Sequence, residues 1–519
     1  EISECLVGSE MCIRDRLISI CITTLLLSSC SGDFLDLAPQ HTGSESTFFK
    51  TEEHFTQAIN GAYQRLRDVH GVYGTLMSEM RADNTHYIRF EADRAQRQYE
   101  EVADFTNDEQ NIVTDDMYYN CFSGISRVNS ILDRIEGMEF SEEFKNHIIG
   151  QAKFLRGYYY FQLVQYFGGV PLYLHEVIGV NDAFLARSSE EEVYKIILSD
   201  VNDAVAKLPV VSFPQNGSAT QGSARMLLAY VLMTMPSRDY VGAEAQLREI
   251  LKMGYELQTN YASVFEPSNK NSKESIFEVQ FQQGDQGQES NWLYYFIPRT
   301  SEAEIITGVP ASNTLSDAGW NIPTQEMVDS YEEGDLRVDP SVSVIAGHND
   351  EYGRFVYDKV FNVGDLGIKD YPISYYFINK YHHAHSKVKN TDDNWPVYRY
   401  SDALLLLAEC LVEQGKAGEA VTFVNQVRQR AGLKALSMVN ADIVAKERRH
   451  ELAFEGHRWQ DLLRTGKAIE VMSEYGKRMK SLYPYLTERT YQVTKEKLVF
   501  PIPYRELQIN SLLEQNTGY

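Results

Sequence analysis

Along most of this chain, apolar residues return every three or four positions, in blocks that come in twos. Phe55, Ile59, Ala62 and Leu66 form one such face, and Ile125, Val128, Leu132 and Ile135 form its partner. That spacing puts side chains on one stripe of an α-helix and is incompatible with half-buried strands, whose period is two. His147–Phe167 with Ser188–Leu208 makes a second pair, and Ser223–Met235 with Val241–Met253 a third. The fourth is Ser401–Gln414 with Ala417–Ala431, where Ala417, Ala420, Val424, Val427 and Ala431 alternate by three and four. Ser188 and Glu191 predict a capping box for the helix that follows them. Gly415 and Gly432 sit where helices should stop.

A helix pair cannot bury both its faces alone, so such units must stack on one another. Small residues at the crossings and short turns resemble tetratricopeptide-like units. The predicted fold is mainly α, with about four helix pairs at about 51–253 and 401–464. A large irregular insert at about 255–400, rich in Gly, Pro, Asn and aromatics, separates them and is suited to recognition. A few short strands are expected, at Ser275–Gln282 and Lys497–Ile502. Residues 51–519 read as a single domain.

The longest apolar run is Leu17–Leu27, too short for a membrane span of about 20 residues. Arg14 and Arg16 precede it, as in a secretory signal. Ser28 and Ser29 directly before Cys30, with Leu27, resemble the lipobox of bacterial lipoproteins, in which the cysteine carries lipid. Residues 1–29 are therefore a signal region and 30–50 a lipid-anchored tether. Residues before Met11 fit no signal pattern and are set aside. Several acyl chains hold a protein to a membrane without a spanning helix. Beyond Cys30 only Cys121 and Cys410 remain, both in apolar helical runs, which predicts buried free thiols.

The formal charge is 49 − 73 = −24, and no basic stripe relieves it, which argues against nucleic acid as a partner. Glu447, Glu451 and Glu455 recur every four residues on an expected 447–464 helix, with Arg448, Arg458 and Arg464 among them. Charges at this spacing form ion pairs; the single Glu447–His450 step is only a fragment of a di-iron motif. His382, His383 and His385 read as a solvated loop, since the tract lacks the spacing of a metal site. No metal, no cofactor and no catalytic residue are assigned.

Aromatic side chains in loops carry the binding argument. A sugar ring offers C–H faces that pack on an aromatic face, returning about 25 cal/mol per Å² removed from water. Neighbouring amides and charges then satisfy its hydroxyls. Two stretches combine these features: Tyr73 through Tyr87, and Asn291 through Phe296 with Trp320 and Asn321 downstream. The candidate ligand contacts are Tyr73, Asn84, Tyr87, Trp292, Tyr295 and Trp320. Tyr158–Phe161 and Tyr166 lie at packing spacing inside a helix and are assigned to the core.

Several motifs resemble the SusD/RagB family: Phe34-Leu35-Asp36 after the lipobox, Arg156 through Phe161, and Tyr166 through Leu172. Glu447 through Leu462, Pro501-Ile502-Pro503 and the closing Gln515 through Tyr519 continue it in the family's order. Thr517 stands where the family usually has Pro. The resemblance implies a lipoprotein of the outer membrane, facing the cell exterior, with four tetratricopeptide-like units. It implies a non-enzymatic protein that binds a nutrient, often an oligosaccharide, and caps a SusC-like TonB-dependent transporter. Two other classes are a surface glycoside hydrolase and a structural lid without ligand affinity.

Overall fold

The computed structural model describes residues 48–519. The signal region, Cys30 and the Phe34-Leu35-Asp36 motif lie outside the described residues. Helix α1 (Glu52–Val69) buries Phe55, Ile59, Ala62, Leu66 and Val69, the stripe expected from their spacing. It is followed by α2 (Arg97–Asp104) and α3 (Ile112–Ile135), which reaches back to α1 when Arg65 donates to Asn120 Oδ1 at 3.2 Å. Then come α4 (Glu142–Phe167), α5 (Glu190–Lys207), α6 (Gln221–Thr234) and α7 (Tyr240–Ile250). After the insert follow α8 (Tyr400–Glu413), α9 (Ala417–Arg430), α10 (Ala441–Glu451), α11 (Arg458–Arg464) and α12 (Ala468–Leu482).

From α3 to α9 each helix packs on the next, and α7 packs directly on α8 although the insert separates them in sequence. The helical stack therefore closes as if the insert were absent. Gly157 permits one close approach: a Cβ there would sit 2.6 Å from Val201 Cγ2 of α5. Tyr158, Tyr159, Tyr160, Phe161 and Tyr166 are all buried in α4, as their spacing requires. Gly415 and Gly432 both take positive φ (75° each) at helix ends. Cys121 and Cys410 are buried free thiols.

The insert is pinched at its base by a two-stranded ladder, β2 (Ser275–Val279) with β7 (Trp395–Arg399), pairing Ser275 opposite Arg399. Between them lies an antiparallel sheet in the order β5-β4-β6, made by Val342–Asn349 (β4), Phe355–Asn362 (β5) and Ile373–Ile378 (β6). A short pairing of β1 (Thr85–His86) with β3 (Ile322–Pro323) ties the insert to the segment after α1.

Four sequence expectations need correction. The capping box at α5 is Ser189 with Glu192, one residue later than Ser188 and Glu191. The 447–464 stretch is two helices, α10 and α11, broken where Phe454 (φ 66°) and Gly456 (φ 78°) turn the chain. Residues 497–502 form no strand. Pro501 has no N–H to give a ladder, and Phe500 N instead donates to Tyr166 O at 2.7 Å. The histidine tract is not a solvated loop: all three rings are half-buried and bonded, His382 to Ile306 O, His383 to Asp393 and His385 to the Tyr294 hydroxyl.

The acidic face of α10 does form ion pairs, but with partners from distant segments rather than its own helix. Glu447 meets Arg337 at 2.7 Å and Arg428 at 3.0 Å. Glu451 meets Arg399 at 2.9 Å and Arg337 at 3.3 Å, and is also held by Arg430. Just past the helix, Glu455 meets Lys380 at 2.6 Å and Arg399 at 2.7 Å. All of these residues are buried except Arg430, which is half-buried. Burial alone would raise the Glu451 carboxyl; Arg430, Arg399 and Arg337 overcome it and hold it well below the usual range.

A depressed folded-state pKa gives stability that is present above the unfolded value and lost as pH falls through the folded one. Glu451→Gln strands guanidinium charge in the interior, so it is expected to cost about 3–5 kcal/mol. Removing the exposed Glu474–Lys477 pair should cost under about 1 kcal/mol. Urea denaturation of both variants checks this. The variant should also lose part of the wild-type drop in stability below about pH 4.5; equal costs for the two pairs would refute the account.

Candidate functional site

Four segments far apart in sequence meet at a cleft of about 770 Å³. The strand β1 and its continuation bring His86, Tyr87, Ile88 and Arg89; β3 and the short helix Gln325–Asp329 bring Gln325, Glu326 and Asp329. Strand β6 supplies Ser374, Tyr375 and Tyr376, and the end of α12 supplies Arg478, Met479, Tyr483 and Tyr485. Thr324 caps the short helix by accepting from Met327 N at 3.2 Å, which fixes the direction of Gln325 and Glu326.

The aromatic wall is braced from behind. Tyr483 stacks on His86 with ring centroids 4.8 Å apart, and Tyr485 lies 5.4 Å from Tyr483 and 6.0 Å from Tyr87. His86 links to the Tyr485 hydroxyl at 3.2 Å. Across the cleft, Tyr375 packs edge-on against Phe355 at 5.1 Å, and Tyr376 donates to Gln325 Oε1 at 3.1 Å. Tyr375, Tyr376, Tyr483 and Tyr485 are each half-buried, so part of each ring stays open to solvent. The site thus offers flat apolar faces with amide, carboxylate and guanidinium groups beside them, the combination that suits a ring bearing both C–H faces and hydroxyls.

The floor is rigid. Tyr87 is 2% exposed and donates its hydroxyl to Asp104 Oδ2 at 2.9 Å. Behind it Trp320, Tyr99 and Tyr73 continue the aromatic file at 6.2, 5.0 and 5.4 Å between successive rings. Burial pushes Asp104 up to about 7, against the hydrogen bonds from Tyr87 and Tyr491.

Of the residues singled out in the sequence, Tyr87 lines the cleft as part of its floor. Tyr73 and Tyr295 are half-buried at the far end of the aromatic file; burial, Asp317 and Tyr73 push the Tyr295 hydroxyl up to about 12. Three others are interior. Trp292 is 1% exposed, wedged between Phe281, Trp395 and Tyr381 at 4.7, 5.0 and 5.3 Å, with its indole N–H given to His70 O at 3.1 Å. Trp320 is buried against Tyr99 and Tyr87. Asn84 is buried and spends its amide on Glu79 and Arg449, both at 2.8 Å. Their packing, not solvent, occupies these side chains. The residues that sequence reasoning missed are Tyr375, Tyr376, Tyr483 and Tyr485. The Tyr-Pro-Tyr run after α12 was the available signal for Tyr483 and Tyr485, because Pro484 cannot continue the helix, which ends at Leu482.

Residues 273–519 match the family model described as the SusD family. Residues 33–231 match a second, described as starch-binding associating with outer membrane. The chain belongs to the SusD/RagB family. SusD-like protein P38 of Formosa agariphila is 26% identical, with 96% of this chain and 98% of that one covered. A SusD-like protein of Bacteroides ovatus is 24% identical over 87% of this chain and 82% of its own length. Among solved structures, a laminarin binding SusD-like protein superposes with a TM-score of 0.73 at 26% identity, covering 91% of this chain and all of that one. Surface glycan-binding protein A from Bacteroides fluxus gives 0.71 at 25% identity, with 91% and 100% covered. The mainly helical SusD-like fold, with its stacked pairs, is therefore the fold of this chain.

A buried carboxyl whose folded pKa is raised stabilises the protein below its unfolded value, here about 3.8, and that stability is lost as pH rises through about 7. Urea denaturation of the wild type should therefore show stability falling across this window, by up to about 1.4 kcal/mol per pH unit for one proton. Asp104→Asn should flatten that part of the profile. Parallel profiles for the two proteins would rule out a protonated Asp104 under the cleft.

Proposed function

We propose that this protein binds a glycan at the cell surface and passes it, uncleaved, to a SusC-like TonB-dependent transporter in the outer membrane. The carrying observation is the cleft walled by Tyr375, Tyr376, Tyr483 and Tyr485. Family membership supports the reading, as do structural neighbours named for binding laminarin or surface glycans. A lipid on Cys30 is the proposed anchor to the outer membrane, facing outward; no described helix is long and apolar enough to cross a bilayer.

The chemistry of the cleft favours binding over hydrolysis. A glycosidase needs one protonated carboxyl and one carboxylate across the scissile bond. Both oxygens of Glu326 accept from Arg449, at 3.1 and 2.8 Å, and Arg478 adds a third contact at 3.4 Å. With both oxygens already bonded to guanidinium groups, Glu326 is committed to ion pairing rather than left free to face a scissile bond.

Calorimetric titration of the purified protein against an oligosaccharide panel, with assay of the same samples for cleaved product, tests the proposal. Saturable binding without product is expected. Tyr483→Ala should weaken it about 5- to 30-fold, the loss of about 1–2 kcal/mol of ring burial. Product release would establish a hydrolase instead, and unchanged affinity after the substitution would place the ligand elsewhere. Anchoring has its own check: Cys30→Ser should shift the protein from the membrane pellet to the soluble fraction and abolish labelling by a fatty acid. A lid without ligand affinity predicts co-purification with the transporter but silence in the titration.

A further inference from the structure

The charges around the cleft come in compensated sets. Arg89, on one rim, donates Nη2 to Glu91 at 3.2 Å, with Nε in ion-pair contact with the same carboxylate at 2.8 Å, and gives Nη1 to Tyr485 O at 3.4 Å. Its guanidinium also lies 4.9 Å from the Tyr485 ring centre. On the opposite rim Arg478 faces Glu326. Behind Glu326, Arg449 is shared with Asp83, at 3.2 Å. Arg458 closes the set with two bonds to Asp83, at 2.7 and 3.0 Å. Although burial works against it, Arg458 and Arg449 hold the Asp83 carboxyl down at about 2. The exposed Asp329, which accepts from Gln325 Nε2 at 2.8 Å, brings the carboxylates to four against four guanidinium groups, three of the four carboxylates being in direct ion pairs.

His86 does not alter that balance. Burial pushes its imidazole down to about 3, so at neutral pH the ring is uncharged, and its two nitrogens are already bonded to the Tyr485 and Tyr491 hydroxyls. Each cation lining the cleft already has a carboxylate within 3.4 Å. An incoming anion would have to compete with that carboxylate, and it would approach a chain of net charge −24. A hydroxyl has no such cost. It can accept from Gln325 or Arg478 and donate to Asp329, without breaking an ion pair.

Resting on the glycan-binding reading above, we infer that the cleft takes a neutral, hydroxyl-bearing oligosaccharide and discriminates against glycans that carry carboxylate or sulfate groups. Recognition comes from ring stacking and hydrogen bonds, so affinity should depend little on salt. An oligouronate read by free guanidinium groups would show the opposite.

The test titrates the full chain with length-matched neutral gluco-, manno- and xylo-oligosaccharides and with oligogalacturonate and a sulfated galactan oligosaccharide. Each titration is run at about 50 and about 500 mM NaCl. We expect at least one neutral series to bind saturably, with affinity changing less than about threefold across that range, and the anionic chains to bind at least about tenfold more weakly. Tighter binding of an anionic series, with affinity falling steeply as salt rises, would overturn the charge argument while leaving glycan binding intact. Silence in every series would take down the glycan-binding reading itself. Asp329→Lys, at an exposed position, provides the second arm. It should raise affinity for oligogalacturonate at least about fivefold, and no rise would show that charge balance is not what excludes anions.

Discussion

The structure depends on one buried electrostatic knot. Arg399, at the end of β7, simultaneously holds Glu274 beside β2, Glu451 in α10 and Glu455 in the turn beyond it. Arg337 from the insert holds Asp335, Glu447 and Glu451. These contacts join the irregular insert to the helical half, those of Arg337 across 110 and 114 residues of sequence and those of Arg399 across 52 and 56. Burying that many charges is costly, and replacing them with apolar groups of the same shape could leave stability unchanged. What apolar contact could not supply is direction. Each guanidinium fixes the angle and register of the segment it meets, and an insert with little regular structure has few other means of being oriented.

That constraint reaches the cleft through α10. Glu447 and Glu451 of this helix face the knot, while Arg449, between them, reaches the other way to Asn84, Asp83 and Glu326. One helix thereby sets both the seating of the insert and the position of the Glu326 carboxylate at the cleft rim. The β1–β3 pairing beside it carries His86 and Tyr87 at the same level. The aromatic wall is thus mounted on rigid elements, as a recognition surface needs if it is not to lose affinity in ordering itself.

Local pattern and tertiary consequence separate cleanly when sequence and structure are compared. The stripe of α1, most of those of α3 (where Ile131, not Leu132, is buried) and α9, the buried tyrosines of α4 and the stops at Gly415 and Gly432 are legible because each follows from a period or a single backbone angle. The ion pairs of α10 are legible in kind but not in partner, since Arg337, Arg399 and Lys380 lie elsewhere in sequence. The aromatics are hardest. Trp292 and Trp320 sit in loop sequence with polar neighbours, as Tyr375 and Tyr483 do, yet the first two are interior and the latter open. Apart from Pro484 beside Tyr483, nothing local distinguishes them; what decides is which segment lies on top.

The motifs that carry the family resemblance explain why it points to the fold more readily than to the ligand. Arg156 gives Nε and Nη2 to Asp200, at 2.6 and 2.9 Å, and bonds Asn129 at 2.9 Å, joining α3, α4 and α5. Near the C-terminus, Asn516 gives its amide to Phe167 O and Phe500 O, at 3.0 and 2.7 Å, closing the tail onto the end of α4. Such residues are buried or half-buried and each completes several bonds at once, so a substitution there leaves polar groups stranded. Tyr375, Tyr376, Tyr483 and Tyr485 are under no comparable restraint on their exposed edges. Exchanging them alters which surface a ligand meets while the bonds that hold β6 and α12 in place persist. A chain built this way can keep its scaffold legible across distant relatives while its cleft is free to diverge, and the ligand has to be sought in the cleft's own side chains.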